Sequence, residues 1–421
     1  MEESMVMKQQ PDQSSSLQDI WGFSCFLETL CKDGFYHEVT TTTKPVGPTV
    51  TYHDKEYINF ASINVLNTHQ EPDVMKHFLQ AAKQYGLVTG GSRVTQGVSS
   101  AHKEMEEELT RITGKERSIS FASGLLANIG FINAMTCKFD FSSTCGINNS
   151  DAVFVLDRDC HWSLWKAASH LEFGKQLFPF RHNDPKHLEI LLKRLSKTHK
   201  KIVVVFESIY SADGSIAPMK ELLDACEKYG AISYVDNANG FMFYGPEQRL
   251  FSEEFKQMNR ATFVMVSFSK AVGMEGGAIS GPKDMITMFE LLSGTSLFTA
   301  AIQPPTASTI TYILHKLEKH PEIMDQYLER SLKLRQVLEE KHFRLNDTPS
   351  YIISVIIGND KKAVKVYEAC LENNIMVGMF RYPAVKPGHA LIRIMMNAGQ
   401  TDEQLQCLIA FLEKMKDTYK F

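Results

Sequence analysis

The sequence lacks the features that would place it in a membrane, on nucleic acid or in an oxidising compartment. No apolar run reaches the roughly 18 residues of a membrane-spanning helix, and the start at Met1 does not have the pattern of a signal peptide. A formal net charge of -4 gives no reason to expect a nucleic acid or a membrane surface as partner. The eight cysteines include no Cys-x-x-Cys pair. They therefore indicate the reduced thiols of a cytoplasmic protein, with neither a disulfide framework nor a metal site.

What the sequence does contain is an alternation of apolar runs and helical patterns. With 43% hydrophobic residues in 421, the chain can bury a large core. Continuous runs rich in Val, Ile and Phe, separated by helices, indicate parallel strands covered on both faces. We therefore predict an α/β fold with a mostly parallel central sheet, in which ligands bind at the carboxyl ends of the strands. The runs lie at 151–157, 175–180, 201–207, 231–236 and 262–268, with helical patterns at 187–195 and 219–229.

We divide the chain into three parts. Residues 1–60 are predicted to form an N-terminal arm, with disorder to about residue 15, a helix at 17–31 and a hairpin at 50–60. Residues 61–303 would form the large α/β domain, and residues 304–421 a smaller α+β domain. In the smaller domain we predict one long helix at 307–341, strands at 350–357 and 389–396, and helices at 362–373 and 401–414.

Four of the apolar runs end in residues that can carry chemistry. The clearest is Lys270, which closes one run and precedes a glycine-rich stretch. An amine in this position can hold an aldehyde cofactor as a Schiff base, although a lysine at a strand end is more often simply solvated. His161, Glu207 and Asp236 follow or close three other runs. Each alone could be a cap or turn residue, but their conjunction favours a site for pyridoxal phosphate.

Pyridoxal phosphate needs several partners, and the sequence offers a candidate for each. Its ring nitrogen needs a facing carboxylate, for which Asp236 is the candidate. Its phenolate oxygen needs hydrogen-bond donors, which Asn239 and Ser211 could supply. An aromatic face often covers the ring, and His161 could do this. Its phosphate needs amides at a helix start and hydroxyls, which we assign to the turn Ser123-Gly124-Leu125 and to Ser267.

Together these residues resemble the α-oxoamine synthases, a family of fold-type I pyridoxal phosphate enzymes. The likeness runs from about Tyr57 to the C-terminus, and its motifs are specific jointly. Within the family the chain looks nearest to the quorum-sensing autoinducer synthases, with serine palmitoyltransferase as the close alternative. The segments that carry the likeness are 85–93, 123–128, 157–163, 180–184, 207–218, 267–277 and 391–395.

The resemblance implies a decarboxylative Claisen condensation of a small amino acid with an acyl thioester, of CoA or of a carrier protein, to give an α-aminoketone. Lys270 would hold the cofactor and then remove the α-proton, with Asp236 and His161 as further catalytic residues. Arg393 would bind the amino-acid carboxylate. The remaining implied contacts are Asn64 with the substrate and Thr299 with the phosphate of a neighbouring subunit, which implies a homodimer with its sites at the interface.

The sequence departs from the family's pattern at three places. Asn239 stands where the family has a histidine, Leu125 stands where it has an aromatic residue, and Asn-Val-Leu-Asn at 64–67 replaces Asp-Tyr-Leu-Gly. Alternatives therefore stay open. The chain could catalyse aldol cleavage or transamination with the same cofactor, or sphingoid base synthesis of the serine palmitoyltransferase type. It could also be a non-catalytic partner subunit, although the retained Lys270 and Asp236 argue against this.

Overall fold

The computed structural model describes residues 20–32, 41–243 and 253–421. The predicted disorder at the N-terminus lies outside these residues, and so does the start of the helix predicted at 17–31. The strands are β1 (Thr49–Tyr52), β2 (Lys55–Asn59), β3 (Arg117–Phe121), β4 (Lys138–Ser142), β5 (Cys145–Asn148), β6 (Val153–Asp157), β7 (Leu177–Phe180), β8 (Ile202–Glu207), β9 (Ile232–Asp236), β10 (Phe263–Ser267), β11 (Gly277–Gly281), β12 (Ile352–Gly358), β13 (Ile375–Met376), β14 (Gly378–Phe380) and β15 (Ala390–Met395).

Helices cover both faces of this framework, and short 3-10 turns lie at Thr68–Gln70 and Gln257–Arg260. No helix in the described part of the chain is long and apolar enough to cross a membrane. The α-helices are α1 (Phe23–Lys32), α2 (Pro72–Tyr85), α3 (Ser100–Thr113), α4 (Gly124–Met135), α5 (Trp162–Ala167), α6 (Pro185–Leu195), α7 (Met219–Lys228), α8 (Glu253–Lys256), α9 (Lys283–Leu292), α10 (Gly294–Leu297), α11 (Pro304–Lys319), α12 (Glu322–Glu340), α13 (Asp360–Glu372) and α14 (Asp402–Tyr419).

A seven-stranded sheet forms the centre of the molecule, in the order β3-β11-β10-β9-β8-β6-β7. The strands from β10 to β7 run parallel to one another, whereas β11 is antiparallel to both of its neighbours. Every residue of β6 and β8 is buried, because helices cover both faces of the sheet. The predicted α/β class and mostly parallel sheet are confirmed.

Two features of the large region were not predicted. Strands β3 and β11 complete the main sheet, but both are short and carry serine, and the Ser118 and Ser280 hydroxyls bond to each other across them at 2.7 Å. The hairpin β4–β5 is exposed along its whole length and pairs with no other strand of the described residues. Short strands without a continuous apolar run give a weak pattern in sequence.

The long helix predicted at 307–341 is wrong, because two helices occupy this stretch. Helix α11 ends at Lys319 and α12 starts at Glu322. Pro321 lies between them, and a proline both lacks a backbone donor and disfavours helical geometry in the residue before it. The predicted hairpin at 50–60 is present as β1 and β2, which join β13 in a separate three-stranded sheet.

Two hydrophobic cores divide the molecule, and α12 contributes to both. Tyr327 and Leu328, in its first half, belong to the large core around the main sheet, together with the buried side chains of α11. Leu334 and Leu338, in its second half, pack in the smaller core with the sheet β12-β15-β14. The domain boundary at residue 304 stays a prediction. The packing of α11 favours a boundary further along the chain, within α12.

Candidate active site

The carboxyl ends of β6, β8, β9 and β10 meet at one edge of the main sheet and define the candidate site. Glu207 and Asp236 are neighbours in the register of β8 and β9, and Met265 of β10 pairs with Asp236. The loop that carries Lys270 therefore begins beside Asp236. Parallel strands place all of these ends on one side, so residues that are distant in sequence come together here.

Asp236 is buried at the base of the site. Its Oδ2 accepts a hydrogen bond from Asn128 Nδ2 at 3.1 Å, and its Oδ1 accepts one from the Ala238 N–H at 3.0 Å. Burial raises the pKa of Asp236, and these hydrogen bonds and the charges of His161 and Lys270 oppose the shift. No cation of the described residues makes an ion pair with this carboxylate. A protonated ring nitrogen would supply the missing counter-ion.

Lys270 carries an amine that can react at neutral pH. Burial, and after it the positive charge of Arg393, lowers the pKa of Lys270 to about 8, whereas Asp236 and Glu207 act in the opposite direction. The amine donates no hydrogen bond to any described residue. The loop around it is held in place, because the Met274 N–H bonds to the Phe268 carbonyl at 2.9 Å. Such a desolvated lysine is suited to form a covalent bond with an aldehyde.

The predicted phosphate turn is the start of α4. Ser123 is its N-cap, and its Oγ accepts the Leu126 N–H at 3.2 Å. The N–H groups of Gly124 and Leu125 have no acceptor among the described residues, as expected in the first turn of a helix. A Cβ on Gly277 would lie 2.9 Å from the Gly124 backbone. Only glycine therefore lets β11 approach the turn this closely.

Ser267 lies next to this turn at the end of β10. A Cβ on Gly124 would lie 3.7 Å from the Ser267 hydroxyl, and that hydroxyl is 3.0 Å from Ser269 Oγ. Two unpaired amides, a hydroxyl pair and a helix N-terminus thus lie together. This donor set fits a phosphate group. The sequence predicted the turn and Ser267 for this role, which stays a prediction.

Arg393 on β15 is brought to the site from the smaller sheet. Its Nη1 donates to the Ser211 carbonyl at 2.6 Å, and its guanidinium lies 4.5 Å from the centre of the Phe380 ring. Burial lowers the pKa of Arg393 to about 10. No carboxylate of the described residues makes an ion pair with it. An enclosed guanidinium without a carboxylate is suited to an anionic substrate group.

The chain is similar to known enzymes. Residues 55–412 match the family model described as aminotransferase class I and II. The chain belongs to this family. It is 27% identical to an 8-amino-7-oxononanoate synthase of Alkaliphilus metalliredigens, over 92% of this chain and 95% of the relative, and 28% identical to a 5-aminolevulinate synthase of Cereibacter sphaeroides, over 93% and 95%. These relatives are α-oxoamine synthases, so the predicted resemblance is confirmed.

Solved structures agree with the sequence relatives. A serine palmitoyltransferase of Sphingomonas wittichii superposes with a TM-score of 0.85 and 27% identity, over 96% of this chain and 99% of that one. A further structure of the same enzyme type, solved with pyridoxal phosphate, has a TM-score of 0.84 and 27% identity, over 96% of this chain and 99% of that one. The class I and II aminotransferase fold is therefore shared along nearly the whole chain.

His161 lies exposed at the mouth of the site and caps the short helix α5. Its Nδ1 accepts the Ser163 N–H at 3.2 Å and lies 2.7 Å from Ser163 Oγ. Glu207 fixes its main chain, because one carboxylate oxygen accepts the His161 N–H and the other accepts the Ser211 N–H. The surrounding protein lowers the pKa of His161, with Asp236 opposing this shift. The structure thus places His161 within the electrostatic reach of Asp236.

The two predicted donors to the phenolate oxygen occupy the rim between β8 and β9. The Asn239 amide is buried and donates to the Ile209 carbonyl at 3.1 Å, which leaves its second N–H for a ligand. The main chain of Ser211 bonds to both Glu207 and Arg393. Their roles toward a cofactor stay predictions. An amide at position 239 cannot titrate, unlike the histidine of other family members.

Asn64 and Thr299 do not contact the residues at the strand ends. Asn64 lies in the entrance segment, residues 59–69, where its amide reaches His69 Nε2 at 3.0 Å. The segment touches the Lys270 loop through the bond from Thr68 Oγ1 to the Val272 carbonyl at 3.0 Å. Thr299 follows α10 and has no hydrogen bond among the described residues. Both assignments stay predictions.

Three residues that complete the site were not among the predicted site residues. Glu207 was noted as a strand end, but its buried carboxylate organises the main chains of His161 and Ser211. Asn128 and Ser163 link Asp236 to His161, with Asn128 Nδ2 to Ser163 Oγ at 2.9 Å. The available signal was Asn128 among the apolar residues of α4, since a buried amide needs polar partners.

Proposed function

We propose that this protein catalyses the decarboxylative condensation of an amino acid with an acyl thioester, using pyridoxal phosphate, and forms an α-aminoketone. The observation that carries the proposal is that one site joins Lys270, Asp236 and Arg393. They are a reactive amine, an unpaired buried carboxylate and an unpaired buried guanidinium. The similarity to an 8-amino-7-oxononanoate synthase, a 5-aminolevulinate synthase and a serine palmitoyltransferase supports this reaction type over aldol cleavage or transamination.

The residues present fit the cofactor at each of its polar groups. The free amides of Gly124 and Leu125, with Ser267, suit the phosphate. Asp236 suits the protonated ring nitrogen, and Lys270 suits the aldehyde carbon. When bound, pyridoxal phosphate supplies a carbonyl that takes up the substrate amine and an electron-poor ring that accepts charge from the α-carbon.

The chain's own residues would then hold the substrate and move its proton. Arg393 would bind the amino-acid carboxylate with its planar fork and turn the α-carbon toward Lys270. The Lys270 Nζ, with a pKa near 8, would accept the α-proton. Asp236 would keep the ring nitrogen protonated throughout, because its burial strengthens its attraction for that charge. His161, at the mouth, would orient the substrate carboxylate.

The test of the reaction is the simultaneous release of thiol and carbon dioxide from an amino acid and an acyl thioester. Glycine, alanine, serine and 2-aminobutyrate, each with short and long acyl-CoA, cover the substrates of interest. We expect thiol and carbon dioxide in equal amounts. Transfer of the amine to a keto acid without thiol release would overturn the proposal in favour of transamination.

Covalent labelling with borohydride tests the lysine separately from turnover. Lys270→Ala should remove the label and lower turnover by about 10² to 10⁴-fold or more. Lys115→Gln is the matched control. Its pKa is also lowered to about 8 by burial, but its amine donates to the backbone carbonyls of Asn259 and Ala261. The control should keep the label, and a label that persists in Lys270→Ala would contradict the assignment.

We also propose a homodimer with sites at the subunit interface. Leu87, Val88 and Phe298 are large apolar side chains with 63%, 66% and 83% of their surface exposed. They belong to two segments that meet at the bridge between Ser92 and Ala300, next to Thr299. Exposed apolar clusters of this kind are typical of interfaces. Sedimentation should give a dimer, and a fully active monomer would contradict it. The cytoplasmic location stays a prediction.

A further inference from the structure

A chain of hydrogen bonds connects the base of the site to its mouth. Asp236 Oδ2 accepts from Asn128 Nδ2 at 3.1 Å, and the same Nδ2 donates to Ser163 Oγ at 2.9 Å. Ser163 Oγ in turn lies 2.7 Å from His161 Nδ1. Asn128 and Ser163 are both buried. The reaction proposed above gives neither of them a role.

The direction of each hydrogen bond follows from the chemistry of the groups. An ionised Asp236 can only accept, so the Asn128 amide must turn its NH₂ group toward it. The amide oxygen then accepts the Tyr234 hydroxyl at 2.7 Å, which uses the remaining face of Asn128. Both amide hydrogens are committed, one to Asp236 and one to Ser163. These three hydrogen bonds therefore fix the orientation of the Asn128 amide.

The contacts between Ser163 and His161 determine which nitrogen of the His161 ring carries the proton. Because Ser163 Oγ accepts from Asn128, its own hydrogen is free to point at His161 Nδ1. The Ser163 backbone N–H also points at Nδ1, at 3.2 Å, and a backbone donor cannot rotate away. Nδ1 thus faces two donors and must present a lone pair. The remaining proton of a neutral ring lies on Nε2.

The charged groups around His161 come from four elements. Glu207 ends β8, Asp236 ends β9, Lys270 follows β10, and Arg393 lies on β15. Asp236 favours a protonated ring, whereas Lys270, Arg393 and the enclosing protein disfavour it, and the balance lowers the pKa of His161. The buried Glu207 bonds to the His161 main chain. The neutral ring thus agrees with the hydrogen-bond directions.

We propose that Asn128 and Ser163 are positioning residues that hold His161 as the neutral tautomer with its proton on Nε2. The ring then presents a hydrogen-bond donor, instead of an acceptor, to a carboxylate or carbonyl oxygen in the site. This last consequence rests on the proposed function. The tautomer itself rests only on the contacts of Asp236, Asn128 and Ser163.

The test is the nitrogen NMR spectrum of the full-length protein, loaded with pyridoxal phosphate and labelled with ¹⁵N-histidine. The chain has 14 histidines, and His161→Asn identifies the signals of interest by their loss. The unsubstituted protein should show an unprotonated Nδ1 and a protonated Nε2 at neutral pH. A proton on Nδ1 would overturn the inference. The NMR measurement needs no catalytic turnover, so its outcome tests the tautomer independently of the proposed reaction.

Asn128→Asp reverses the direction of the hydrogen bond between residue 128 and Ser163, with little change in the shape of the side chain. The new carboxyl group shares one proton with Asp236, since two carboxylates at hydrogen-bond distance do not both stay ionised, and its other oxygen accepts the Ser163 hydroxyl hydrogen in place of His161 Nδ1. We expect the pH at which His161 is half protonated to rise by about one unit or more. Asn133→Asp is the matched control, because Asn133 lies on the same helix and its side chain bonds to no described residue. That variant should leave the His161 signals unchanged.

Ser163→Ala and Ser163→Thr give an independent reading if Asn128→Asp fails to fold. Removal of the hydroxyl leaves the backbone N–H as the one donor to Nδ1, so the share of the Nε2 tautomer should fall. Ser163→Thr, which keeps the hydroxyl, should restore it. Unchanged signals in Ser163→Ala, together with an unchanged titration in any folded Asn128→Asp protein, would refute the role of these residues.

Discussion

The strand-end cluster (Glu207, Asp236, Lys270 and His161) and the entrance segment (residues 59–69) are built on different principles. The residues of the cluster lie at or just after the carboxyl ends of parallel strands. Burial and the charges of other members shift their pKa values, upward for Glu207 and Asp236 and downward for Lys270. The entrance segment bonds to the rest of the fold through both its backbone and its side chains. Its backbone bonds include those from Met395 N–H to the Phe60 carbonyl at 2.9 Å and from Ala398 N–H to the Val65 carbonyl at 2.7 Å. The side chains of the cluster influence one another's protonation, whereas the segment has a structural role.

This difference teaches where sequence change is tolerated. The backbone bonds at Phe60 and Val65 do not depend on the side chains at 64–67, where the sequence departs from the family's pattern, and Thr68 binds the Lys270 loop through its hydroxyl. In the cluster, each side chain sets the charge state of the next. We therefore expect substitutions in the cluster to change cofactor and substrate chemistry, and substitutions in the segment to change stability or substrate choice.

The largest expected effect is at Arg393, which β15 delivers to the cluster. Arg393→Lys keeps the charge but loses the planar fork, and the loss of one hydrogen bond to a charged group costs about 1.5–3 kcal/mol, or about tenfold or more in kcat/KM for the amino acid. Cofactor affinity should change little. The measurement is steady-state kinetics at varied amino acid concentration.

Arg335→Lys is the control for this prediction. Arg335 is a second buried arginine of the smaller region, and its guanidinium donates to the Asn346 side chain at 3.0 Å. Its replacement should lower stability without changing KM. If Arg335→Lys raised KM as much as Arg393→Lys, the effect would belong to the fold and not to substrate binding.

A smaller effect is expected from the charges around Lys270. Only the neutral amine attacks an aldehyde, so the rate at which the cofactor-free protein binds pyridoxal phosphate should rise about tenfold per pH unit below a pKa near 8 and level off above it. Asp236→Asn removes a charge that raises this pKa, and Arg393→Met removes one that lowers it. The midpoint should therefore move down in the first variant and up in the second.

Stopped-flow absorbance after mixing with pyridoxal phosphate gives these midpoints. Asp54→Asn, a carboxylate in the turn between β1 and β2 and outside the cluster, should leave the midpoint in place. Shifts of the same sign in Asp236→Asn and Arg393→Met would show that the three side chains do not form one electrostatic unit, and the contrast with the entrance segment would be lost.

The sequence predicted the strand ends that carry the cluster, because buried parallel strands leave a clear pattern. Continuous runs ending at Glu207 and Asp236 identified β8 and β9, and parallel topology alone brings their ends together. The family, the fold class and the cofactor are confirmed by the comparisons. Strands β3 and β11 were not predicted, because their glycine and serine residues interrupt the apolar pattern.

The sequence could not predict contacts that arise only from packing. Asn128 is 108 positions from Asp236 and 35 from Ser163, and nothing local to it indicates either partner. The break between α11 and α12 is a different case, because Pro321 marks it in the sequence and helical periodicity concealed it. Periodicity reports which face is buried, whereas side-chain partners depend on which elements the fold brings together.

The smallest expected effect is at Asn67 in the entrance segment. Its φ of 61° lies in the left-handed region, and asparagine stands here where the family has a glycine. Asn67→Ala should lower the free energy of unfolding by about 1–2 kcal/mol, since the left-handed backbone conformation is less favourable for alanine than for asparagine. Asn67→Gly should stay close to the unsubstituted protein, because it removes a buried Oδ1 that has no partner. Thermal unfolding measures both, and cofactor affinity should be unchanged in each, whereas a loss of pyridoxal phosphate from Asn67→Ala would show that the entrance segment and the cluster are not separable.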